Sequence, residues 1–174
     1  MTKSQNFKTE FSAGAVVFKK TSAGFKFLIG KHSGYHKWVL PKGLIEKGEK
    51  GYMAALRETE EEMGIKARLI TTKPIIVIKY MYLADFKAKS AKQKSKTASK
   101  RVMTYQEDGG KKTKVFKTVS FYLAKYLSGD PKNHDWEMET VSWFIFEKAL
   151  SMLAFKGERQ ALEKAQNELV NPKK

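Results

Sequence analysis

Four glutamates stand within residues 57–64, RETEEEMG, of a chain that is otherwise strongly basic. The protein has 34 lysines and arginines against 18 aspartates and glutamates, and its formal net charge is +16. Like charges three or four residues apart on a helix repel one another by about 0.2–0.5 kcal/mol per pair. A bound divalent cation would offset this repulsion, so the segment predicts a metal site.

Helical geometry separates the four acids into two groups. At about 100° per residue, Glu58, Glu61 and Glu62 project within one arc of a helix, whereas Glu60 points elsewhere. Three converging carboxylates suit Mg²⁺ or Mn²⁺, hard cations that prefer oxygen ligands and take further ligands from substrate phosphates. The alternative for these three residues alone is a solvated acidic face.

Residues upstream of the acids extend the motif. Gly43 precedes Glu49 by six positions, and Glu49 precedes Arg57 by eight. The whole stretch, residues 43–65, fits the pattern G-x5-E-x7-R-E-U-x-E-E-x-G-U, with Thr59 at the first apolar position. It resembles the Nudix hydrolase family, whose members hydrolyse a nucleoside diphosphate linked to another group and depend on a divalent cation.

The resemblance implies a role for each motif residue. The metal ligands would be the Gly43 carbonyl and the carboxylates of Glu58, Glu61 and Glu62. Arg57 would pair with Glu49 to hold the loop against the helix. The expected catalytic set comprises Arg57, Glu61, Glu62 and Glu137.

Segments outside the motif resemble bacterial and archaeal diadenosine tetraphosphate hydrolases, which implies cleavage of that dinucleotide to ATP and AMP. Lys42 would then lie beside the phosphate chain. Tyr80 and Tyr82 share one strand face, and one of them would stack on adenine; Tyr82 is slightly favoured. Glu137 would bind metal or activate water, with Glu139 as its rival on the same face.

Composition limits the remaining choices. The chain has 174 residues, no cysteine and no segment of membrane-spanning length or secretory character, which favours one cytoplasmic domain over residues 1–174 without a membrane partner. Its three histidines lack the spacing of zinc ligands. The positive charge predicts a polyanionic partner, here a nucleotide with a polyphosphate chain.

The composition of the lysine-rich segment 87–113 predicts a basic insertion that forms a loop. It would also suit RNA, so removal of pyrophosphate from a 5′-triphosphate RNA end is the alternative activity. A Nudix-fold binding module without catalysis is a further alternative, disfavoured because every carboxylate of the motif is present.

Hydrophobic periodicity supplies the elements that must position these residues. Residues 11–20 and 24–32 predict a hairpin, residues 37–43 a short strand broken by Pro41 and Gly43, and residues 50–63 a helix that ends at Gly64. The apolar side of this helix is predicted to comprise Tyr52, Met53, Leu56, Thr59 and Met63. Further strands are expected at 67–70, 74–86, 114–127 and 141–146, and two helices at 147–154 and 158–169. The predicted fold is α/β (α+β), a mixed sheet sandwiched between helices.

Overall fold

The computed structural model describes residues 7–84 and 113–172. It has eight strands, three α-helices and a short 3-10 helix. In chain order they are β1 (Phe7–Thr21), β2 (Gly24–His32), β3 (Trp38–Val39), β4 (Lys42–Leu44), α1 (Gly51–Met63), β5 (Ile65–Leu69), β6 (Ile76–Ala84), β7 (Thr113–Gly129), the 3-10 helix (Pro131–Asn133), β8 (Met138–Ile145), α2 (Phe146–Met152) and α3 (Lys156–Val170). The predicted basic insertion, residues 87–113, lies outside the described residues except for its last position.

The eight strands form one mixed sheet around β1. The main strand order is β3-β2-β1-β7-β5, while β4 pairs with β1, β6 with β7 and β8 with β2. β1 and β7 run parallel, with Phe7 opposite Lys114 and Phe18 opposite Lys125, and the other pairs are antiparallel. A long parallel pair thus forms the middle of the sheet.

Alternation along β1 divides the core into two layers. Ala13, Ala15 and Val17 pack with α1 on one face, whereas Val16 and Phe18 pack with α2 and α3 on the other. A sheet covered by helices on both faces confirms the predicted fold class. These two faces are called the α1 face and the α3 face below.

The hairpin and the first helix match their sequence signals. The turn between β1 and β2 lies at residues 22 and 23, and β1 begins four residues earlier than the pattern predicts. α1 ends at Gly64, whose left-handed backbone (φ 70°) lets its N–H reach the carbonyl of Glu60. Glycine adopts this conformation without the steric penalty of a side chain, so the helix stops where the sequence predicts.

The prediction for residues 37–43 is wrong in one respect. The chain forms two short strands, and Gly43 lies inside β4 instead of interrupting a strand. β4 forms because it pairs with β1, with Ala13 opposite Gly43 and Gly14 opposite Lys42. This pairing fixes β4 next to α1, the helix that carries the acids of the motif.

Among the described residues, no helix combines the length and apolar character that a transmembrane segment requires.

Candidate active site

The buried face of α1 carries carboxylates. The apolar period predicts Met53 on the inner side, but Met53 is 51% exposed. The face that packs on the sheet instead comprises Ala54, Ala55, Glu58, Thr59, Glu62 and Met63. The two alanines let the helix lie close to the strands, so Glu58 and Glu62, four residues apart, point toward β4 and away from bulk water.

Glu58 lies directly against Gly43. A Cβ atom added at Gly43 would overlap the carboxyl group of Glu58. Only glycine therefore leaves room for this carboxylate beside β4. The contact explains physically why the motif begins with glycine, and it brings a backbone segment of β4 alongside a buried acid.

Glu62 anchors the other end of the acidic face to the same strand. The backbone N–H of Lys42 donates to Glu62 Oε2 at 2.9 Å. Burial raises the pKa of Glu62 to about 8; the Lys42 charge and its N–H bond oppose the rise, and the charges of Glu58 and Glu137 add to it. Burial therefore disfavours the ionised form of Glu62 in the metal-free protein.

Arg57 joins the loop, the helix and β4. Its guanidinium donates from Nε and Nη2 to the two oxygens of Glu49, at 2.9 and 3.0 Å, and from Nη2 to the Leu44 carbonyl at 3.0 Å. This bidentate pairing holds the pKa of Glu49 below its usual range. The structure thus brings Arg57 and Glu49 together, as the sequence predicts.

The same guanidinium also contacts the acidic face. Arg57 Nη1 donates to Glu58 Oε1 at 2.6 Å and approaches Glu61 Oε2 at 3.4 Å. The Glu61 side chain is 39% exposed, and Glu60 is more exposed still, near Lys66. Glu60 is turned away from the other acids, in agreement with the helical projection.

The acids are near one another but not gathered at one point. Within residues 7–84 and 113–172, no three carboxylate or imidazole groups form a ready metal cluster. The expected convergence is therefore incomplete, because Arg57 holds Glu58 and β4 holds Glu62. The donor set still fits a hard cation: three carboxylates, and a glycine whose missing side chain leaves space next to one of them. The assignment of Gly43, Glu58, Glu61 and Glu62 to Mg²⁺, or Mn²⁺ in its place, remains a prediction.

Metal binding should release a proton. Because the pKa of Glu62 is raised to about 8, this carboxyl must ionise before it binds a cation below that pH. We expect release of about one proton per site at pH 6.5 and almost none at pH 9.5, with affinity falling roughly tenfold per pH unit below pH 8. Calorimetric Mg²⁺ titration in buffers of different ionisation enthalpy measures both quantities, and equal affinity at the two pH values would contradict the assignment.

The raised pKa of Glu62 also affects the stability of the metal-free protein. The free energy that the protonated Glu62 carboxyl contributes to stability is fully present below pH 4.5 and is lost as the pH rises to about 8.

Lys42 lies on the α3 face of β4. Its Nζ is 2.9 Å from Glu158 Oε1, and both side chains are largely buried. Burial alone would lower the pKa of Lys42, but the adjacent Glu158 carboxylate outweighs it and raises the pKa. The sequence resemblance implies a phosphate contact for Lys42, whereas no local pattern indicates the position of Glu158.

Lys117 on β7 is a second cation that the sequence analysis misses. In the sheet register it lies between Glu10 of β1 and Tyr80 of β6. Burial lowers the pKa of Lys117, the Lys42 charge lowers it further, and the charges of Glu10, Glu62 and Glu58 act in the opposite direction. Lys117 is therefore close enough to sense both the motif acids and the tyrosine region.

The two tyrosines have different environments. Tyr82 donates its hydroxyl to Glu10 Oε2 at 2.8 Å, and Lys8 Nζ lies 2.7 Å from Glu10 Oε1. The Tyr80 ring is 44% exposed, and its centroid lies 6.2 Å from that of Tyr82. The hydroxyl of Tyr82 is thus used within the protein, whereas Tyr80 offers more ring surface to a ligand.

The two candidate acids before and within β8 also differ. Glu139 pairs with Lys31, at 2.7 Å, and with the His36 ring. Glu137 lies near enough to Glu62 to raise its pKa. This geometry favours Glu137 over Glu139 as the acid that faces the motif.

The fold and the arrangement of these residues are those of a known protein family. Residues 8–165 match the NUDIX domain, and the chain belongs to the Nudix family. Among its relatives, an asymmetrical bis(5′-nucleosyl)-tetraphosphatase from Caenorhabditis elegans is 36% identical over 83 residues, which are 47% of this chain and 59% of that protein. A protein named MutT4, a mutator protein, from Mycobacterium tuberculosis (strain CDC 1551 / Oshkosh) is 30% identical over 168 residues, 93% of this chain and 56% of its relative.

The chain thus spans somewhat more than half the length of these curated relatives. The same fold is found in the crystal structure of a C. elegans Ap4A hydrolase binary complex. That structure has a TM-score of 0.58 and 23% identity, and the match covers 92% of this chain and 98% of the other.

Proposed function

We propose that this protein is a divalent-metal-dependent pyrophosphohydrolase that cleaves diadenosine tetraphosphate to ATP and AMP. The observation that carries the proposal is that Lys42 and Lys117 lie within electrostatic range of the motif acids, and that Lys117 in turn lies opposite the exposed Tyr80 in the sheet register. This arrangement suits a ligand with a polyphosphate chain and an aromatic base. The relative that is a bis(5′-nucleosyl)-tetraphosphatase supports the choice of substrate.

The motif acids would hold the cation at the scissile bond. Glu58, Glu61, Glu62 and the Gly43 carbonyl are the proposed ligands, and bound Mg²⁺ would neutralise phosphate charge and promote attack by water. Without a cation, these carboxylates would repel a polyphosphate chain. Arg57 and Glu49 keep the loop against the helix, so that the backbone that carries the acids is already in place when substrate arrives.

Two cations would receive the phosphate chain. Lys42 lies next to Gly43 in β4, and Lys117 lies between the acids and the tyrosines. Each supplies positive charge in a partly desolvated site, where Coulomb attraction is stronger than in water. A chain bound along both would place one phosphorus near the motif acids and a nucleoside near Tyr80.

Glu137 would act on the attacking water. The reaction breaks one phosphorus–oxygen bond of the anhydride and forms another to the water oxygen, whose proton must leave. Glu137 lies close enough to Glu62 for its charge to raise the pKa of Glu62, whereas Glu139 is paired with Lys31 and His36. We assign Glu137 the task of orienting that water and accepting its proton.

Replacement of each tyrosine by leucine tests the base contact. Stacking of a base on an aromatic ring contributes about 1–3 kcal/mol, so we expect Tyr80→Leu to raise KM for the dinucleotide roughly tenfold with little change in kcat. Tyr82→Leu should have a smaller effect, because that ring is less exposed. Steady-state kinetics of both variants decide between them, and a larger effect at Tyr82 would support the sequence-based preference.

The substrate itself is tested by product analysis. Diadenosine tetraphosphate and 5′-triphosphate RNA are offered in parallel with Mg²⁺, and products are separated by anion-exchange chromatography. We expect ATP plus AMP from the dinucleotide at much the higher kcat/KM. Preferred pyrophosphate release from RNA would support the alternative activity. Absence of turnover on any pyrophosphate substrate would favour a binding module without catalysis.

A further inference from the structure

α3 reaches the metal motif through one buried carboxylate. Glu158 is only 4% exposed. Its Oε1 lies 2.9 Å from Lys42 Nζ, and its Oε2 accepts the backbone N–H of Leu40 at 3.0 Å. Glu158 therefore holds both the side chain of Lys42 and the backbone two residues before it.

Lys42 is at the same time bonded to the opposite helix. Its backbone N–H donates to Glu62 Oε2 at 2.9 Å. One residue of β4 thus connects Glu158 of α3 with Glu62 of α1. Its ammonium lies within electrostatic range of both carboxylates but in contact with Glu158.

We propose that Glu158 is a positioning residue for the metal site: it keeps the Lys42 ammonium on the α3 face and so leaves Glu62 available to a divalent cation. An ammonium that lost this counter-ion would be drawn to the carboxyl oxygens of Glu62, because an unpaired buried charge is strongly unfavourable. A cation would then compete with Lys42 for the same carboxylate. The inference rests on the proposed metal role of Glu62 but not on which substrate is cleaved.

Cation binding to the metal-free protein tests this directly, without nucleotide. Mn²⁺ titrations followed by electron paramagnetic resonance of the free ion give the dissociation constant. We expect Glu158→Gln to raise this constant roughly tenfold. Glu163→Gln removes the same charge from an exposed position of α3 and should leave the constant unchanged.

A double variant separates competition from a general structural effect. If Lys42 is the competitor, Lys42→Met alone should bind Mn²⁺ at least as tightly as the wild type, and Lys42→Met combined with Glu158→Gln should recover most of the lost affinity. Circular dichroism melts check that each variant is folded.

Three results would overturn the proposal. They are wild-type affinity in folded Glu158→Gln, weaker binding in Lys42→Met alone, and a double variant as weak as Glu158→Gln. If Glu158→Gln does not fold, the Lys42→Met measurement still decides. Since the readout is Mn²⁺ affinity, failure to cleave diadenosine tetraphosphate would refute the proposed substrate without touching this inference.

Discussion

Glu61→Gln is expected to lower metal-dependent kcat by roughly 10²–10³-fold, the loss typical when one preorganised electrostatic group is removed from an active site. Glutamine keeps the size of the side chain but removes the charge that would bind the cation. The fold should remain intact, because the Glu61 side chain is 39% exposed and its contact with Arg57 is long, at 3.4 Å. Such exposed ion pairs contribute about 0–1 kcal/mol.

Glu60→Gln is the matched control for this variant. It makes the same chemical change one position earlier on α1, at a side chain that is 56% exposed and turned toward Lys66. We expect near-wild-type turnover and an unchanged melting temperature. Near-wild-type turnover in Glu61→Gln as well would refute the assignment of Glu61 to the metal.

Gly43→Ala should impair both stability and turnover, because the added methyl group would overlap the Glu58 carboxyl group. Overpacking of this kind destabilises proteins by about 1–3 kcal/mol, and each kcal/mol lowers Tm by about 2–4 °C in a domain of this size. Glu58 would have to leave its place beside β4 and weaken its 2.6 Å contact with Arg57. We therefore expect a lower melting temperature together with a large fall in kcat, measured by calorimetry and steady-state kinetics.

Gly34→Ala provides the comparison. Gly34 is exposed, and an added Cβ would approach the edge of the His32 ring at 3.1 Å, which is a much looser contact than the overlap at Gly43. The variant should melt and turn over nearly as the wild type does. An unchanged Gly43→Ala enzyme would mean that Glu58 can move freely, and that its position against β4 does not matter for catalysis.

Sequence reasoning succeeds where the information is local. The helix stop at Gly64 follows from residue type, and the pairing of Arg57 with Glu49 is what the resemblance of residues 43–65 to the family motif implies; the structure contains both. The alternating apolar pattern likewise indicates most strands. Each of these features depends on neighbours along the chain.

The same reasoning misjudges the inner face of α1. A helical projection assumes that glutamate side chains are exposed to solvent, and it therefore places the apolar Met53 toward the core. In the structure Met53 is exposed while Glu58 and Glu62 are buried, because Gly43 and the Lys42 N–H accommodate their carboxylates. The partners that decide the outcome belong to another element, β4.

Residues that meet only through the sheet are also beyond a sequence pattern. Glu10, Lys117 and Tyr80 lie side by side because three strands pair in one particular register. Glu158 reaches Lys42 because α3 packs back over the sheet. No spacing of residues along the chain predicts these contacts, so the places of Lys117 and Glu158 near the site are known only from the folded structure.

The parallel pairing of β1 with β7 has a consequence for folding. The register joins Phe7–Phe18 to Lys114–Lys125, so the middle of the sheet needs two segments about a hundred residues apart. On the ribosome, β1 must wait for most of the chain to emerge before its main partner exists. Contacts of such long range slow folding, whereas the penalty for joining distant segments grows only as the logarithm of the intervening length, about 0.6 kcal/mol per doubling. The architecture is therefore slow to nucleate yet tolerant, in its final free energy, of added length between β6 and β7.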